Sequence, residues 1–179
     1  MPSESDASSA RLIDGSEPAS PETLLDLLDS LGIAHRTFNH EPVFTVEEAR
    51  AIRGPLNGGH SKNLFLRNKK GAMWLVTCEE SRRLSLDSLA EQLGTKRFSF
   101  ASRERLMSYL GVTPGAVTPF SVMNDGTGKV TLVVDQSLVS LETVNFHPLV
   151  NSMTTSISGP DLLRFLQAVD HEPILKRFD

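Results

Sequence analysis

The stretch SKNLFLRNKKGAMWLVTC, residues 61–78, decides the fold class of this 179-residue chain. Two apolar runs, 61–67 and 72–78, flank a turn-forming Asn-Lys-Lys-Gly sequence at 68–71. Such runs separated by a short turn rich in Asn and Gly are typical of an antiparallel hairpin. A hairpin breaks the strict strand–helix–strand order that an all-parallel sheet requires. The sequence therefore predicts an α+β fold with a mixed sheet.

Amphipathic helix patterns and further strands surround the hairpin on both sides. Helix starts are marked by capping residues, whose side chains accept hydrogen bonds from the first N–H groups of a helix. We predict helices that begin near Ser20, Thr45, Leu86, Ser102 and Pro160. We predict additional strands near 33–38, 98–100, 120–123, 130–134 and 144–146. The helices are expected to flank the sheet.

The chain is predicted to form one domain after a short tail. Residues 1–19 are rich in Ser, Asp, Glu and Pro without an apolar period, which predicts a flexible tail, and 20–179 form a single domain. No apolar run is long enough to span a bilayer, and the N-terminus does not resemble a signal peptide, so we expect a cytoplasmic protein without a membrane partner. Cys78 is the only cysteine and lies in an apolar run, where a core position is expected.

Positive charge is concentrated in the middle of an acidic chain. Residues 50–105 carry 12 Lys and Arg against 5 Asp and Glu, although the whole chain has a net charge of −4. A local basic region of this kind can bind phosphates. The alternative interpretation is that these side chains form ordinary solvated faces.

The familiar catalytic signatures are absent from the sequence. No HExxH, CxxC, GxSxG or Walker pattern occurs, so we expect neither a metal ion nor another cofactor. His35, His40, His60 and His171 are expected at the surface. His147, between a strand and Pro148, could be functional or structural. Lys62, at the start of the apolar strand, could point into a cleft or simply lie at the surface.

Five segments of the chain form an ordered set: HEPVFTVEEA (40–49), SKNLFLRNKKG (61–71), RRLSLDSLAEQLGTKRFSFAS (82–102), LGVTPGAVTPFSVMND (110–125) and VNFHPLVNSMTTSISGPDLLRFL (144–166). In this order they resemble the YbaK/ProX family of aminoacyl-tRNA deacylases, which includes free-standing prolyl-tRNA editing proteins and the editing domain inserted in many bacterial prolyl-tRNA synthetases. The resemblance extends from about residue 22 to the C-terminus, and it implies a mixed, barrel-like β-sheet surrounded by helices.

The resemblance also implies a set of site residues. The family's motif lysine falls on Lys62, its GxxxP loop on residues 115–119, and the histidine of its alanine-clearing branch on His147. This implies hydrolysis of mischarged Ala-tRNA(Pro), with Lys62, Gly115 and His147 in the catalytic centre. The expected substrate pocket comprises Phe44, Thr45, Asn63, Ala116, Val117, Thr118 and Pro119.

Water is expected to attack an ester that is already activated, while loop N–H groups stabilise the oxyanion and Lys62 anchors the terminal phosphate. The expected partners are the acceptor end of mischarged tRNA(Pro) and prolyl-tRNA synthetase, and no DNA partner is expected. Two alternatives are a deacylase for Cys-tRNA(Pro) or another small mischarged amino acid, and a non-catalytic module that binds tRNA or the synthetase. The residues expected to follow the tRNA acceptor stem are Arg67, Lys69, Lys70, Arg82 and Arg83.

Overall fold

A computed structural model describes residues 10–53 and 58–178 of the chain. Eight strands form one sheet in the order β1-β7-β6-β2-β3-β5-β8, and β4 pairs with β2. The strands are β1 (Arg36–Asn39), β2 (Gly59–Arg67), β3 (Met73–Glu79), β4 (Ser99–Phe100), β5 (Val130–Asp135), β6 (Val144–Phe146), β7 (Met153–Ile157) and β8 (Ile174–Lys176).

The predicted hairpin is confirmed as the pair β2 and β3. The two strands are antiparallel, with Ser61 opposite Glu79 and Arg67 opposite Met73. Asn68 closes the turn because its Oδ1 accepts hydrogen bonds from the backbone N–H groups of Lys70 and Ala72, at 3.1 and 2.9 Å. A side chain that binds its own turn in this way stabilises the turn locally.

The long strand β2 makes the sheet mixed. Its first residues pair in parallel with β6, and its last residues pair antiparallel with β4. Strands β3, β5 and β8 run parallel to one another, whereas β6, β7 and β1 are successively antiparallel. The predicted α+β class with a mixed sheet and flanking helices is therefore confirmed.

Six α-helices and one 3₁₀ helix are present in the described part of the chain. Ser20, Ser85, Ser102 and Ser158 each cap a helix by accepting a hydrogen bond from a first-turn N–H group. The helices are α1 (Pro21–Ser30), α2 (Val46–Arg53), α3 (Leu86–Gln92), α4 (Arg103–Leu110), the 3₁₀ helix (Pro119–Asn124), α5 (Gln136–Val139) and α6 (Gly159–Ala168).

Both faces of the hairpin are buried because successive side chains of a strand point to opposite sides. Phe65 and Leu75 join the larger core, in which Phe120 meets Phe146 and Phe165 edge to face. A second core on the other face contains Leu66, Val76 and Cys78, together with Phe98 and Phe178. The predicted core position of Cys78 is confirmed, and burial raises the pKa of its thiol to about 11.

One predicted strand is wrong. Residues 120–123 belong to the 3₁₀ helix instead, because Thr118 caps it and Pro119 occupies its first turn. Pro has no N–H to lose at that position and its fixed φ suits a helix start. The apolar pattern of this segment reflects the burial of three successive residues, Phe120 to Val122, rather than strand alternation.

The flexible tail predicted for 1–19 differs from the structure over residues 10–19, whereas 1–9 lie outside the described residues. Leu12 is buried, and the Ile13 N–H donates to the Ser108 carbonyl at 2.8 Å. The Ala19 N–H donates to Asn124 Oδ1 at 3.0 Å. Hydrogen bonds and apolar packing of Leu12 and Ala19 therefore fix a segment whose composition predicted disorder.

The surface position predicted for His171 is wrong. His171 is buried, and its Nε2 lies 2.9 Å from Asp125 Oδ2. The same carboxylate accepts backbone hydrogen bonds from Lys129 and Val130.

Within the described residues, the helices are too short or too polar to cross a membrane.

Candidate active site

A cleft of about 350 Å³ opens at the beginning of β2, where four parts of the chain meet. The first half of β2 forms its floor, and segment 43–49 with the start of α2 forms one side. The opposite side is formed by β6 and β7, and the Gly115 loop closes one end. The lining residues are Val43, Phe44, Thr45, Val46, Ala49, His60, Ser61, Lys62, Asn63, Leu64, Glu80, Gly115, Val117, Asn145, Phe146, His147 and Thr154.

Lys62 lies in this cleft on β2, opposite Cys78 of β3. Its Nζ donates a hydrogen bond to the backbone carbonyl of Arg82, on the segment that follows β3. An ammonium group has three N–H donors, so this bond leaves two for a ligand. The neutral Arg82 carbonyl thus orients the ammonium group of Lys62 without cancelling its positive charge.

Arg82 holds the segment that carries this carbonyl. Its guanidinium forms an ion pair with the fully buried carboxylate of Asp135, and Nη1 donates to the Phe178 carbonyl at 3.3 Å. Burial alone would raise the pKa of Asp135, but hydrogen bonds from Arg82, Glu79 and Ser137 outweigh it and hold the pKa below its ordinary value. The side chain of Arg82 is therefore engaged inside the protein.

Gly115 allows the GxxxP loop to approach segment 43–44 closely. It has φ of 91°, and a Cβ there would lie 3.0 Å from Phe44 Cδ1 and 3.2 Å from the Val43 carbonyl oxygen. Any other residue would be strained in this conformation and would push Phe44 away. The tight packing explains why glycine occupies this end of the cleft.

The remainder of the loop is divided between cleft and core. Val117 lines the cleft, whereas Ala116, Thr118 and Pro119 are buried in the core and are absent from its lining. The Ala116 N–H donates to the Thr113 carbonyl at 3.0 Å, so it is not available as an oxyanion donor. These three residues therefore lie behind the cleft lining, and contact with a substrate stays a prediction for them.

His147 projects from the end of β6 into the cleft. Its Nδ1 lies 2.8 Å from the Met153 carbonyl oxygen, and its ring centroid lies 6.0 Å from that of His40. Burial lowers the pKa of His147 below its ordinary value of 6.5, the Met153 hydrogen bond opposes this, and the charge of His40 adds to it. The imidazole is therefore neutral at neutral pH.

Comparison with known proteins identifies the family of this chain. A family model described as an aminoacyl-tRNA editing domain matches residues 40–165. The prolyl-tRNA editing protein ProX of Acetoanaerobium sticklandii is 38% identical over 148 residues, which cover 82% of this chain and 90% of the relative. This chain belongs to the aminoacyl-tRNA editing domain family.

Other relatives agree with this assignment. The mouse prolyl-tRNA synthetase associated domain-containing protein 1 is 38% identical over 157 residues, which cover 85% of this chain and 92% of the relative. A solved structure described as a candidate trans-editing enzyme for prolyl-tRNA synthetase has a TM-score of 0.64 at 17% identity, covering 90% of this chain and 99% of that one. The solved structure supports the fold alone, while the sequence matches establish the family. Editing removes an amino acid from tRNA by ester hydrolysis, and the chain is an aminoacyl-tRNA hydrolase.

The side of the editing cleft that faces Gly115 is built by a helix cap. The Phe44 N–H donates to Glu48 Oε2 at 2.9 Å, and the Glu48 N–H donates to Thr45 Oγ1 at 3.1 Å, which confirms the predicted start of α2. These bonds fix the backbone at Phe44 and the side chain of Thr45. Phe44 nevertheless remains 66% exposed at the rim.

Asn63 lies in the cleft but is also bound to the sheet. Its Oδ1 accepts a hydrogen bond from Thr77 Oγ1 at 2.7 Å, and its Nδ2 donates to Ser61 Oγ at 3.3 Å. Asn63 therefore links the floor of the editing cleft to β3.

Several residues of the editing cleft were not predicted from the sequence. His40 was expected at the surface, but its Nε2 lies 2.8 Å from Oγ1 of Thr154, which lines the cleft. Glu80 also lines the cleft and is ion-paired with Arg50 at 3.0 Å. The only available signal for Thr154 was its place in the family-like segment 144–166.

In the described part of the chain, no three His, Cys, Asp or Glu side chains are grouped so that they could hold a metal ion.

The remaining residues predicted to bind tRNA lie outside the cleft. Arg67, Lys69, Lys70 and Arg83 are exposed, in contrast to Arg82. Lys69 and Lys70 occupy the turn between β2 and β3, at the end of β2 opposite Lys62. Because a strand rises about 3.3 Å per residue, Arg67 lies about 17 Å from Lys62 along β2.

Proposed function

We propose that this protein hydrolyses the ester of mischarged Ala-tRNA(Pro) as a free-standing editing enzyme. The observation that carries the proposal is that Lys62, Gly115 and His147, from three distant segments, line one cleft. A relative named as a prolyl-tRNA editing protein supports the choice of tRNA(Pro). The NFHPL and NSMTT sequences, which resemble the alanine-clearing branch, support alanine as the amino acid.

The proposed reaction needs no protein nucleophile, because the aminoacyl ester is already activated. A water molecule attacks the carbonyl carbon, and the bond from that carbon to the ribose oxygen then breaks. The ribose oxygen takes up the proton released by water, which gives free alanine and uncharged tRNA. The protein contributes by holding ester and water in line.

Two groups of the cleft would hold the reacting ester. Lys62 anchors the phosphate of the terminal adenosine with its two remaining N–H donors, as a compact point charge. The backbone N–H groups of Gly115 and Val117 are the candidates for binding the oxyanion, because neither makes a hydrogen bond within the described residues. Ala116 does not contribute, since its N–H is used in the turn.

Selectivity against proline follows from the size of the cleft. A synthetase site built for proline rejects the smaller alanine poorly, because each missing methylene is worth only about 1–3 kcal/mol. A second, narrower site can admit alanine and exclude the proline ring. The proposed walls of this site are Phe44, Thr45, Val117 and His147.

The proposed tRNA-binding surface is now smaller than the sequence predicted. Arg67, Lys69, Lys70 and Arg83 are exposed and can contact the acceptor stem, whereas Arg82 is engaged with Asp135. The distance from Lys62 to the hairpin turn suits a substrate whose single-stranded end enters the cleft while its stem remains outside. The synthetase is a second proposed partner, since it would release the mischarged tRNA.

The test is a deacylation assay with Ala-, Cys- and Pro-tRNA(Pro), on wild type, Lys62→Ala and Lys129→Ala. We expect turnover of the alanyl ester, little of the prolyl ester, and at least about a 10-fold loss of kcat/KM in Lys62→Ala, because a hydrogen bond to a charged group is worth about 1.5–3 kcal/mol. Lys129 is exposed and outside the cleft, so its variant should match wild type.

Each alternative gives a different result in this assay. Preferential turnover of the cysteinyl ester would replace alanine by cysteine as the substrate. Absence of turnover with all three esters would contradict the editing function and favour a non-catalytic binding module.

A further inference from the structure

The hydrogen bond of His147 determines which of its nitrogens carries a proton. A backbone carbonyl oxygen can only accept, and the Met153 carbonyl lies 2.8 Å from Nδ1, so Nδ1 carries the hydrogen. In a neutral imidazole the other nitrogen is then an acceptor. No hydrogen bond within the described residues engages Nε2 of His147, which therefore offers an acceptor in the cleft.

The same argument orients the hydroxyl group of Thr154. His40 Nδ1 lies 2.8 Å from the Glu41 carbonyl oxygen and must carry a hydrogen, so in the tautomer that this contact selects Nε2 is the acceptor. Thr154 Oγ1 lies 2.8 Å from this Nε2 and must donate its only hydrogen to it. The lone pairs of Thr154 Oγ1 are then left for a ligand in the cleft.

The cleft thus has two neighbouring acceptors, one on β7 and one after β6, and neither has a hydrogen to donate towards the substrate. A carbonyl or ribose ether oxygen would find no partner there. The α-ammonium group of an aminoacyl ester has only donors, so it matches this pair. We infer that His147 Nε2 and Thr154 Oγ1 bind the α-amino group of the substrate, with His40 as the positioning residue that orients Thr154. This inference rests on the proposed function.

The pair does not by itself distinguish alanine from proline. The ammonium group of an alanyl ester has three N–H donors and that of a prolyl ester has two, and two donors suffice for two acceptors. Exclusion of proline therefore rests on the size of the cleft, whereas the pair selects esters that carry an amine.

The test replaces the amine while preserving the size of the amino acid. L-Lactyl-tRNA(Pro), obtained from the alanyl form by nitrous acid deamination, has a neutral hydroxyl group in place of the ammonium. Each rate is divided by the enzyme-free hydrolysis rate of the same ester. For the wild type we expect the alanyl ester to be preferred by roughly 10- to 100-fold, the value of one or two hydrogen bonds to a charged group.

Isosteric variants locate the acceptors. His147→Phe preserves a ring and Thr154→Val preserves the shape of the side chain. Each variant should therefore reduce the ratio of the normalised alanyl rate to the lactyl rate towards one. Thr154→Ser retains the hydroxyl group and should keep the preference. Glu80→Gln removes the charge of another cleft residue, a carboxylate that is paired with Arg50. This variant should also keep the preference for the alanyl ester.

The outcomes separate this inference from the proposed function. A wild type that hydrolyses both esters with equal normalised rates keeps the editing function and overturns amine recognition, whereas no hydrolysis of either ester overturns the function. Loss of the preference in Glu80→Gln but not in His147→Phe or Thr154→Val would also overturn the inference. Thermal unfolding of each variant shows whether it is folded. If His147→Phe does not fold, the ester preference of Thr154→Val tests the inference.

Discussion

At the residue scale, the burial of His147 limits the pH range in which the cleft can act. Its pKa lies below the ordinary value of 6.5 mainly because burial disfavours the charged ring. Above this pKa the ring is neutral and Nε2 accepts. Below it Nε2 becomes a donor and repels an ammonium group.

We therefore expect kcat/KM, corrected for enzyme-free hydrolysis, to fall as the pH decreases through the lowered pKa of His147. A pH profile of wild type and His147→Phe measures this, and the variant should lack the acidic decrease due to His147. An unchanged acidic decrease in His147→Phe would assign the decrease to a group other than His147.

Stability should depend on pH in the same direction. The unfolded chain binds a proton at His147 near its ordinary pKa, whereas the folded chain resists it until a lower pH. Stability is therefore lost as the pH falls from about 6.5 towards the folded pKa.

The site residues differ in how far the sequence could identify them. Lys62 and His147 were identified only through the family resemblance, since a lysine at a strand start and a histidine before proline are common in other contexts. Thr154 and His40 could not be assigned roles, because their contact joins residues 114 positions apart. Ala116, Thr118 and Pro119 belong to the motif, but a motif does not show which side chains turn towards the core.

At the element scale, the ion pair of Arg82 and Asp135 joins the segment after β3 to the end of β5. Removing one partner of a buried pair leaves an uncompensated charge, which costs about 3–5 kcal/mol. Because Arg82 is partly exposed, we expect Arg82→Ala to lower the free energy of unfolding by about 3 kcal/mol, near the lower limit of that range.

Urea denaturation measures this loss, and Arg83→Ala is the matched control. Arg83 is adjacent in sequence and exposed, so its replacement should change stability by less than about 0.5 kcal/mol. Equal effects of the two variants would contradict the structural role of Arg82.

The segment of residues 10–19 is a second element that contributes to stability. Leu12 is 8% exposed, whereas its neighbour Ile13 is 53% exposed. We expect Leu12→Ala to cost about 2 kcal/mol, because buried Leu side chains lose transfer free energy and leave a cavity. Ile13→Ala should cost less than about 0.5 kcal/mol. Thermal or urea unfolding of the two variants compares them, and indistinguishable stabilities would show that the segment does not pack on the domain.

At the scale of the whole molecule, an acidic protein is proposed to bind a polyanion through one basic region. Each phosphate contact that releases a counterion makes binding weaker as salt increases. We expect Lys69→Ala with Lys70→Ala to weaken binding of tRNA(Pro) and to reduce the slope of log K against log salt by roughly 1–2.

Affinity measurements over a range of salt concentrations test this prediction, with Lys129→Ala as the control outside residues 50–105. An unchanged slope in the double variant would show that the hairpin turn does not meet the acceptor stem. A flat salt dependence of the wild type would restore the interpretation that these charges are only solvated.

The sequence by itself determined the features that depend on neighbours along the chain. The β2–β3 hairpin follows from a turn within residues 68–71, and the starts of α1, α2 and α4 follow from capping side chains within three residues of the first turn. These interactions are local, so short patterns predict them. The family also followed from the sequence, because five ordered segments carry it.

Only the tertiary structure decided which side chains meet. Strand β7 pairs with the distant β1 and strand β8 with the distant β5, and the 3₁₀ helix has an apolar sequence because most of it is buried. The structure pairs Arg82 with Asp135, buries His171 against Asp125, and places the ring of His40 beside His147 and in contact with Thr154. Such contacts depend on how the sheet brings distant segments together, and burial and hydrogen bonding then decide the charge and orientation of each group.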